Sequence, residues 1–408
     1  MDTEFSAYTL PSHPSPCYSQ DPACDETRLE FSPATRLRPT GIFTKACGSA
    51  TIVLFNQDPS SPIPSYGREA PVSGLLILEH DTSRVSEIVV KFQGQLKITT
   101  AESGATISIF KNSHSLWSLG SSSSVCPERI DFAYQFPTTF RHQDHEYPLP
   151  PSYIARFTGS PVLSAECTYT VTISISKAHR LGIWSQTKIV HIPVKYRPLS
   201  SPPSGISSPP YFLAQAVKTM PDEWHQSSFV LNTRGSTLTP IQCQAFIPSV
   251  KVFGVADTIP IHLQISAPVC SLREFILPAG PAPGDVDDGR GPVRVSLTRM
   301  VTYACRGREI WRTRQIGEGR FRPLPPAVNF DCDCRPECVP SDACVQSLDW
   351  DGEVRCGPGV AVGGFRAAGL TVKDFIIIHL VPPNSSPLLP VQHALPVRFV
   401  TDSFVLAT

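Results

Sequence analysis

The chain has 408 residues, 41% of them hydrophobic and 17% charged, with a formal net charge of zero. That length exceeds one ordinary core and points to two domains, and the neutral balance removes any whole-molecule attraction to nucleic acid or membrane. The 42 prolines and 25 glycines disfavour long helices, because proline lacks the amide a helix interior needs, and favour short strands joined by turns.

Residues 1–40 are rich in proline, serine and acidic side chains and read as a disordered tail. With Asp2 and Glu4 and no apolar core, the start is not a secretory signal. From 41 to 198 strand signals recur: Thr51–Phe55, Val72–Leu78, Glu87–Gly94, Thr106–Phe110, Tyr169–Ile175 and Lys188–Val194. Tyr169, Val171, Ile173 and Ile175 alternate with Thr and Ser, the pattern of a sheet with one wet face. Residues 199–223 form a Pro/Ser-rich linker, semi-stiff because such runs hold extended backbone, with a short helix expected over Leu213 to Lys218.

From 224 to 408 the strand pattern resumes at Pro240–Phe246, Ile259–Ser266, Val293–Tyr303, Ile310–Gln315, Gly369–Leu380 and Leu395–Val400. The stretch Val252–Ile265 reads as a loop feeding a strand, with Ile259, Ile261, Leu263 and Ile265 on one face and Thr258, Pro260, His262 and Gln264 on the other. Two Pro-, Gly- or Cys-rich insertions, 278–292 and 322–347, interrupt the strands. The longest apolar run, Phe375–Ile378, is broken by His379 and falls far short of the roughly 20 residues a membrane helix needs. Thirteen cysteines, an odd count, read as reduced thiols of a soluble cytosolic protein. The fold expected is all-β: two consecutive immunoglobulin-like β-sandwiches after a disordered tail.

Nine segments in chain order, spanning roughly 41–405, resemble the arrestin-like family, in particular its fungal α-arrestin-like branch. In the first half they are Val72–Leu78 (VSGLLIL), Glu87–Gly94 (EIVVKFQG), Leu149–Tyr153 (LPPSY) and Cys167–Val171 (CTYTV). In the second they are Phe253–Ile261 (FGVADTIPI), Val293–Leu297 (VRVSL), Ile316–Gly319 (IGEG), Gly363–Phe365 (GGF) and Leu370–Ile376 (LTVKDFI). The resemblance implies the arrestin fold, no catalysis and no cofactor. It also implies a cytoplasmic adaptor, recruited to plasma membrane or endosomes, that binds cytoplasmic tails of membrane proteins and links them to trafficking, endocytosis or ubiquitin-dependent turnover. The alternative is an endosomal sorting scaffold of the same fold without ubiquitin-ligase contact.

Three candidate sites follow. Pro150, Pro151 and Tyr153 form a PPxY sequence (PPSY), which WW domains bind because the prolines are pre-extended and the tyrosine fills an apolar groove. The family uses such motifs to recruit HECT-type ubiquitin ligases, usually from a flexible tail. The competing reading is that Tyr153 packs into the sheet as a strand begins. Pro209-Pro210-Tyr211 in the linker is one residue short of the same motif.

Between Arg294 and Arg322 eight arginines face only Glu309 and Glu318. Arg306 and Arg308 flank a hairpin tip, and Arg312 and Arg314 share a strand face. Arginine suits bidentate capture of carboxylate or phosphate, so the strip reads either as a docking surface for an acidic or phosphorylated cargo tail or an anionic lipid surface, or as a solvated hairpin. Cys332, Cys334, Cys338 and Cys344, with Cys356 beyond, could hold zinc as a staple or stand as free thiols; no metal ligand is assigned. Gly357–Gly363 mimics a dinucleotide loop, but Pro358 and the strand-like residues after it deny it a helix N-terminus. No nucleophile–base arrangement is recognisable, and His142 and His145 read as a solvated loop.

Overall fold

The computed structural model describes residues 39–79, 82–120, 125–178, 185–206, 213–235, 238–276, 291–305, 307–325 and 344–404. Nearly all of the tail expected at 1–40, the Pro209–Tyr211 motif, Arg306 and three of the clustered cysteines lie outside these residues.

The first half contributes β1 (Gly41–Cys47), β2 (Ala50–Gln57), β3 (Ser65–Tyr66), β4 (Pro71–Leu78), β5 (Val85–Thr100), β6 (Gly104–Ser118), β7 (Arg129–Gln135), β8 (Thr139–His142), β9 (His145–Pro148), β10 (Tyr153–Phe157), β11 (Leu163–Ala178) and β12 (Ser185–Tyr196). One sheet runs β1-β2-β4-β7, and a second runs β3-β12-β11-β5-β6 with β10 also paired to β11. Strict alternation builds the core between them. On β11 every second residue from Leu163 to Ile175 is buried, and Ile88, Val90, Phe92, Leu96 and Ile98 of β5 face the same interior. Gly94 interrupts that row because a Cβ there would collide with the rings of Tyr169 and Phe110.

The second half contributes α1 (Leu213–Thr219), β13 (Trp224–Leu231), β14 (Ile241–Pro248), β15 (Val252–Gly254), β16 (Thr258–Pro268), α2 (Val269–Ile276), β17 (Val293–Cys305), β18 (Arg308–Pro323), β19 (Val345–Cys356), β20 (Arg366–Ala367), β21 (Leu370–Leu380) and β22 (Val391–Val400). Its strands form one large curled sheet, β13-β14-β16-β19-β18-β17-β21-β22-β15, with β20 at the side of β21. The interior of that sheet holds Ile259, Ile261, Leu263 and Ile265, the row expected of β16, together with Leu297, Ile376, Ile378 and Phe399. The chain is therefore all-β with sandwich-like cores, and the one helix expected from the linker is α1.

His262 departs from its expected place on an outer face, being only 3% exposed. Its ring nitrogens lie 2.7 Å from Asp351 Oδ1 and 3.2 Å from Asp349 Oδ1, and Asp351 Oδ2 accepts the Leu213 amide of α1 at 3.0 Å. The helix thus covers this part of β16 and β19, with Ala216, Trp224 and Phe246 in a small apolar cluster of their own.

The two halves are not independent. Arg38–Phe404 is one compact unit, and the first core incorporates Val301, Tyr303, Val362, Leu370 and Val372 from the second half.

Candidate functional site

The alternation of β17 and β21 places two opposite charges where the core belongs. Val293, Val295, Leu297, Arg299, Val301 and Tyr303 all point inward, as do Leu370, Val372, Asp374, Ile376 and Ile378. Arg299 and Asp374 are direct cross-strand partners, 6% and 1% exposed. Arg299 Nε donates to Asp374 Oδ1 at 2.7 Å and its Nη2 to Oδ2 at 3.1 Å, while Nη2 also reaches the Val362 carbonyl at 2.8 Å. Burial alone opposes the guanidinium charge, but hydrogen bonding and attraction from Asp374 more than offset it and raise the Arg299 pKa. Sequence inspection overlooked the pair, although two unlike charges at inward strand positions are a readable signal.

Arg299 lies at the wall of a cleft of about 400 Å³ formed by both halves. Its cationic residues are Lys195, Arg197, Arg299 and Arg314, and among the described residues no Asp or Glu lines it. Lys195 and Arg197 come from the end of β12 and the residue after it, whereas Arg314 comes from β18. Among the described residues none of these three forms an ion pair. The rest of the wall is largely aliphatic, with Ile63, Val301, Ile316, Val360 and Val362.

The arginine strip expected as one surface is divided. Arg306 is outside the described residues, and Gly307, at φ 76°, closes the β17–β18 turn. Arg308 reaches Glu102 of the first half at 3.2 Å, with both side chains largely exposed, so the bridge contributes little. Arg312 Nη1 donates to the Ser160 carbonyl at 2.8 Å, and its guanidinium lies 6.0 Å from the Phe157 ring centroid. Arg308 and Arg312 therefore join the halves, and of Arg308, Arg312 and Arg314 only Arg314 lines the cleft.

Pro150, Pro151 and Tyr153 are buried, Tyr153 to 9% exposure. The Tyr169 hydroxyl donates to the Pro150 carbonyl. The Ser152 amide donates to the Tyr196 carbonyl at 2.9 Å, and the Tyr196 amide returns a bond to Ser152 Oγ at 2.9 Å. The Tyr153 ring meets Phe365 of the second half edge-on at 5.2 Å. Burial pushes the Tyr153 hydroxyl pKa up, partly countered by the Arg299 charge. This is the geometry of the packing alternative: a WW groove needs these side chains in solvent, and here they join the two halves. Tyr153 and Arg314, chosen for unrelated reasons, line the same cleft.

Of the cysteine cluster, Cys344 and Cys356 are described. They sit at opposite ends of β19, roughly 40 Å apart for an extended strand of that length, so Cys356 cannot share a metal with Cys344. Among the described residues no group of His, Cys, Asp and Glu is arranged to hold a metal ion. His142 and His145 are cross-strand neighbours in the β8–β9 hairpin, and residues 359–362 line the cleft as loop. Among the described residues no helix is long and apolar enough to cross a membrane. No protein-family model matches the chain, and no curated protein matches it.

Proposed function

We propose that the protein is a non-catalytic, arrestin-like adaptor that binds cytoplasmic parts of membrane proteins and links them to trafficking, endocytosis or turnover. The observation that carries this reading is the cleft: Lys195, Arg197 and Arg314 meet there from both halves without a carboxylate partner among the described residues. Such a surface takes an anion by charge capture and offers no nucleophile–base pair for chemistry. The burial of Pro150, Pro151 and Tyr153 favours the version that sorts cargo without gripping a WW-domain ligase. Recruitment to plasma membrane or endosomes would follow from the cargo.

The test is affinity purification of the tagged full-length protein beside a Lys195→Glu/Arg314→Glu variant, with thermal melts of both. Membrane proteins retained by the first and lost by the second, at equal melting temperature, support the adaptor. An eluate without membrane proteins sinks it, and a HECT ligase bound equally by Tyr153→Phe and wild type would place any ligase contact elsewhere than the PPSY segment.

A further inference from the structure

The geometry points to a narrower ligand for the cleft: the carboxyl-terminal end of a partner peptide, an aliphatic last residue carrying its free carboxylate. The inference rests on the adaptor reading and specifies what that adaptor recognises. Size is the first argument. A volume of about 400 Å³ lies at the small end of ligand pockets, which run from roughly 300 to 1,000 Å³. It has room for the end of a chain and not for a long acidic segment.

Chemistry is the second. Lys195, Arg197 and Arg314 present positive charge with no acidic residue in the cleft wall among the described residues, while Arg299 is already committed to Asp374. The aliphatic walls, Ile63, Val301, Ile316, Val360 and Val362, would have nothing to bury against a bare phosphate. An Asp or Glu side chain brings a carboxylate on a short stem, with backbone leaving on both sides. A chain-terminal Val, Leu or Ile carries a carboxylate and an apolar side chain on one carbon, with a single exit for the backbone.

The third argument separates a peptide from a free fatty acid. β10 forms part of the cleft wall and pairs with β11 along one side only, with no strand on its other edge among the described residues. Its Ile154 is 57% exposed. An incoming chain can add to that edge through main-chain hydrogen bonds while its carboxylate reaches the cations, combining strand addition with terminal-carboxylate capture. A fatty acid has no amides with which to use the edge. Since both halves form the walls, the bound terminus also ties them together and raises the stability of the folded chain.

The experiment exposes the immobilised full-length protein to two pools of random hexapeptides, one with free carboxyl termini and one amidated, and identifies the retained peptides by mass spectrometry. The expected result is enrichment of Val, Leu or Ile at the last position of the free-acid pool alone. An Arg314→Gln variant, altered at an exposed side chain and checked by thermal melt, should bind the enriched peptides at least about tenfold more weakly. Identical selections from both pools, or no preference at the last position, overturn the inference. So does decanoate binding as tightly as the enriched peptides, which assigns the cleft to free carboxylic acids. Failure here with membrane proteins still captured in the purification removes only the terminal-carboxylate specificity. Terminal selection without any membrane-protein capture removes the adaptor role and leaves the specificity standing.

Discussion

Replacing Asp374 by alanine removes both carboxylate contacts of Arg299 and leaves a guanidinium that is 6% exposed, whose remaining described partners, the Val362 carbonyl and the Tyr153 hydroxyl, are neutral. Each lost charge-assisted bond is worth roughly 1.5–3 kcal/mol, and breaking a buried ion pair from one side costs about 3–5 kcal/mol because the surviving charge is uncompensated. Asp374→Ala should therefore destabilise the protein by about 3–5 kcal/mol, and Arg299→Met, which strands Asp374 instead, by a similar amount. The double change Arg299→Met/Asp374→Leu restores an apolar contact between β17 and β21 and should be no worse than about 1 kcal/mol below wild type. Urea unfolding followed by tryptophan fluorescence gives the cycle, with matching slopes required before midpoints are compared. A cost below about 1 kcal/mol for Asp374→Ala, or a double variant as weak as the sum of the singles, would refute the view that an unpaired buried charge dominates this site.

Tyr153→Ala should cost about 3–5 kcal/mol, as for other large aromatic truncations, while Tyr153→Phe keeps the Phe365 contact and should lie within about 1 kcal/mol of wild type; equal losses in thermal melts would contradict the packing role. Gly363→Ala drives a Cβ into the Phe399 carbonyl oxygen and should lower stability by about 1–3 kcal/mol, an expectation undone by an unchanged denaturation midpoint. Burial pushes the Cys167, Cys243 and Cys356 thiols up to about 12 from an ordinary 9.0. The unfolded chain gives up these protons first, so their contribution to stability is complete below about pH 9 and declines as pH rises from there toward 12. Melting temperatures should hold to about pH 8.5 and fall above it, and the Cys167 and Cys243 thiols, each 1% exposed, should resist a disulfide reagent at pH 8 until the protein unfolds; rapid modification of either in the folded protein would count against its burial.

Period-two alternation made much of the architecture legible. The rows Tyr169–Ile175, Ile259–Ile265 and Leu370–Leu380 bury the side chains that their spacing assigns inward. β19 escaped notice because Gly352 breaks its row between Trp350 and Val354, at a point where a Cβ would meet the Phe321 ring and the Arg320 carbonyl. For β10 the sequence marks only the start, at Tyr153; its five residues (Tyr153–Phe157) carry too few alternations to show where it ends. At the site, Arg314 was visible as part of a cationic run, but Lys195 and Arg197 are ordinary charges at the end of a strand. Only the packing of β18 against the first half brings all three to one cleft, and no local pattern encodes that approach. The inward Arg299 and Asp374 needed no tertiary knowledge, only attention to strand parity.

The sharing of core residues between halves also governs how the chain emerges from a ribosome. The first half is complete at Tyr196, yet its interior lacks Val372 until 176 further residues (372 minus 196) have been made. At roughly 5–20 residues per second, that leaves an apolar face of the nascent sandwich uncovered for about 10–35 s. Over that interval the uncovered face is open to aggregation, and slower elongation across 200–370 would prolong the exposure.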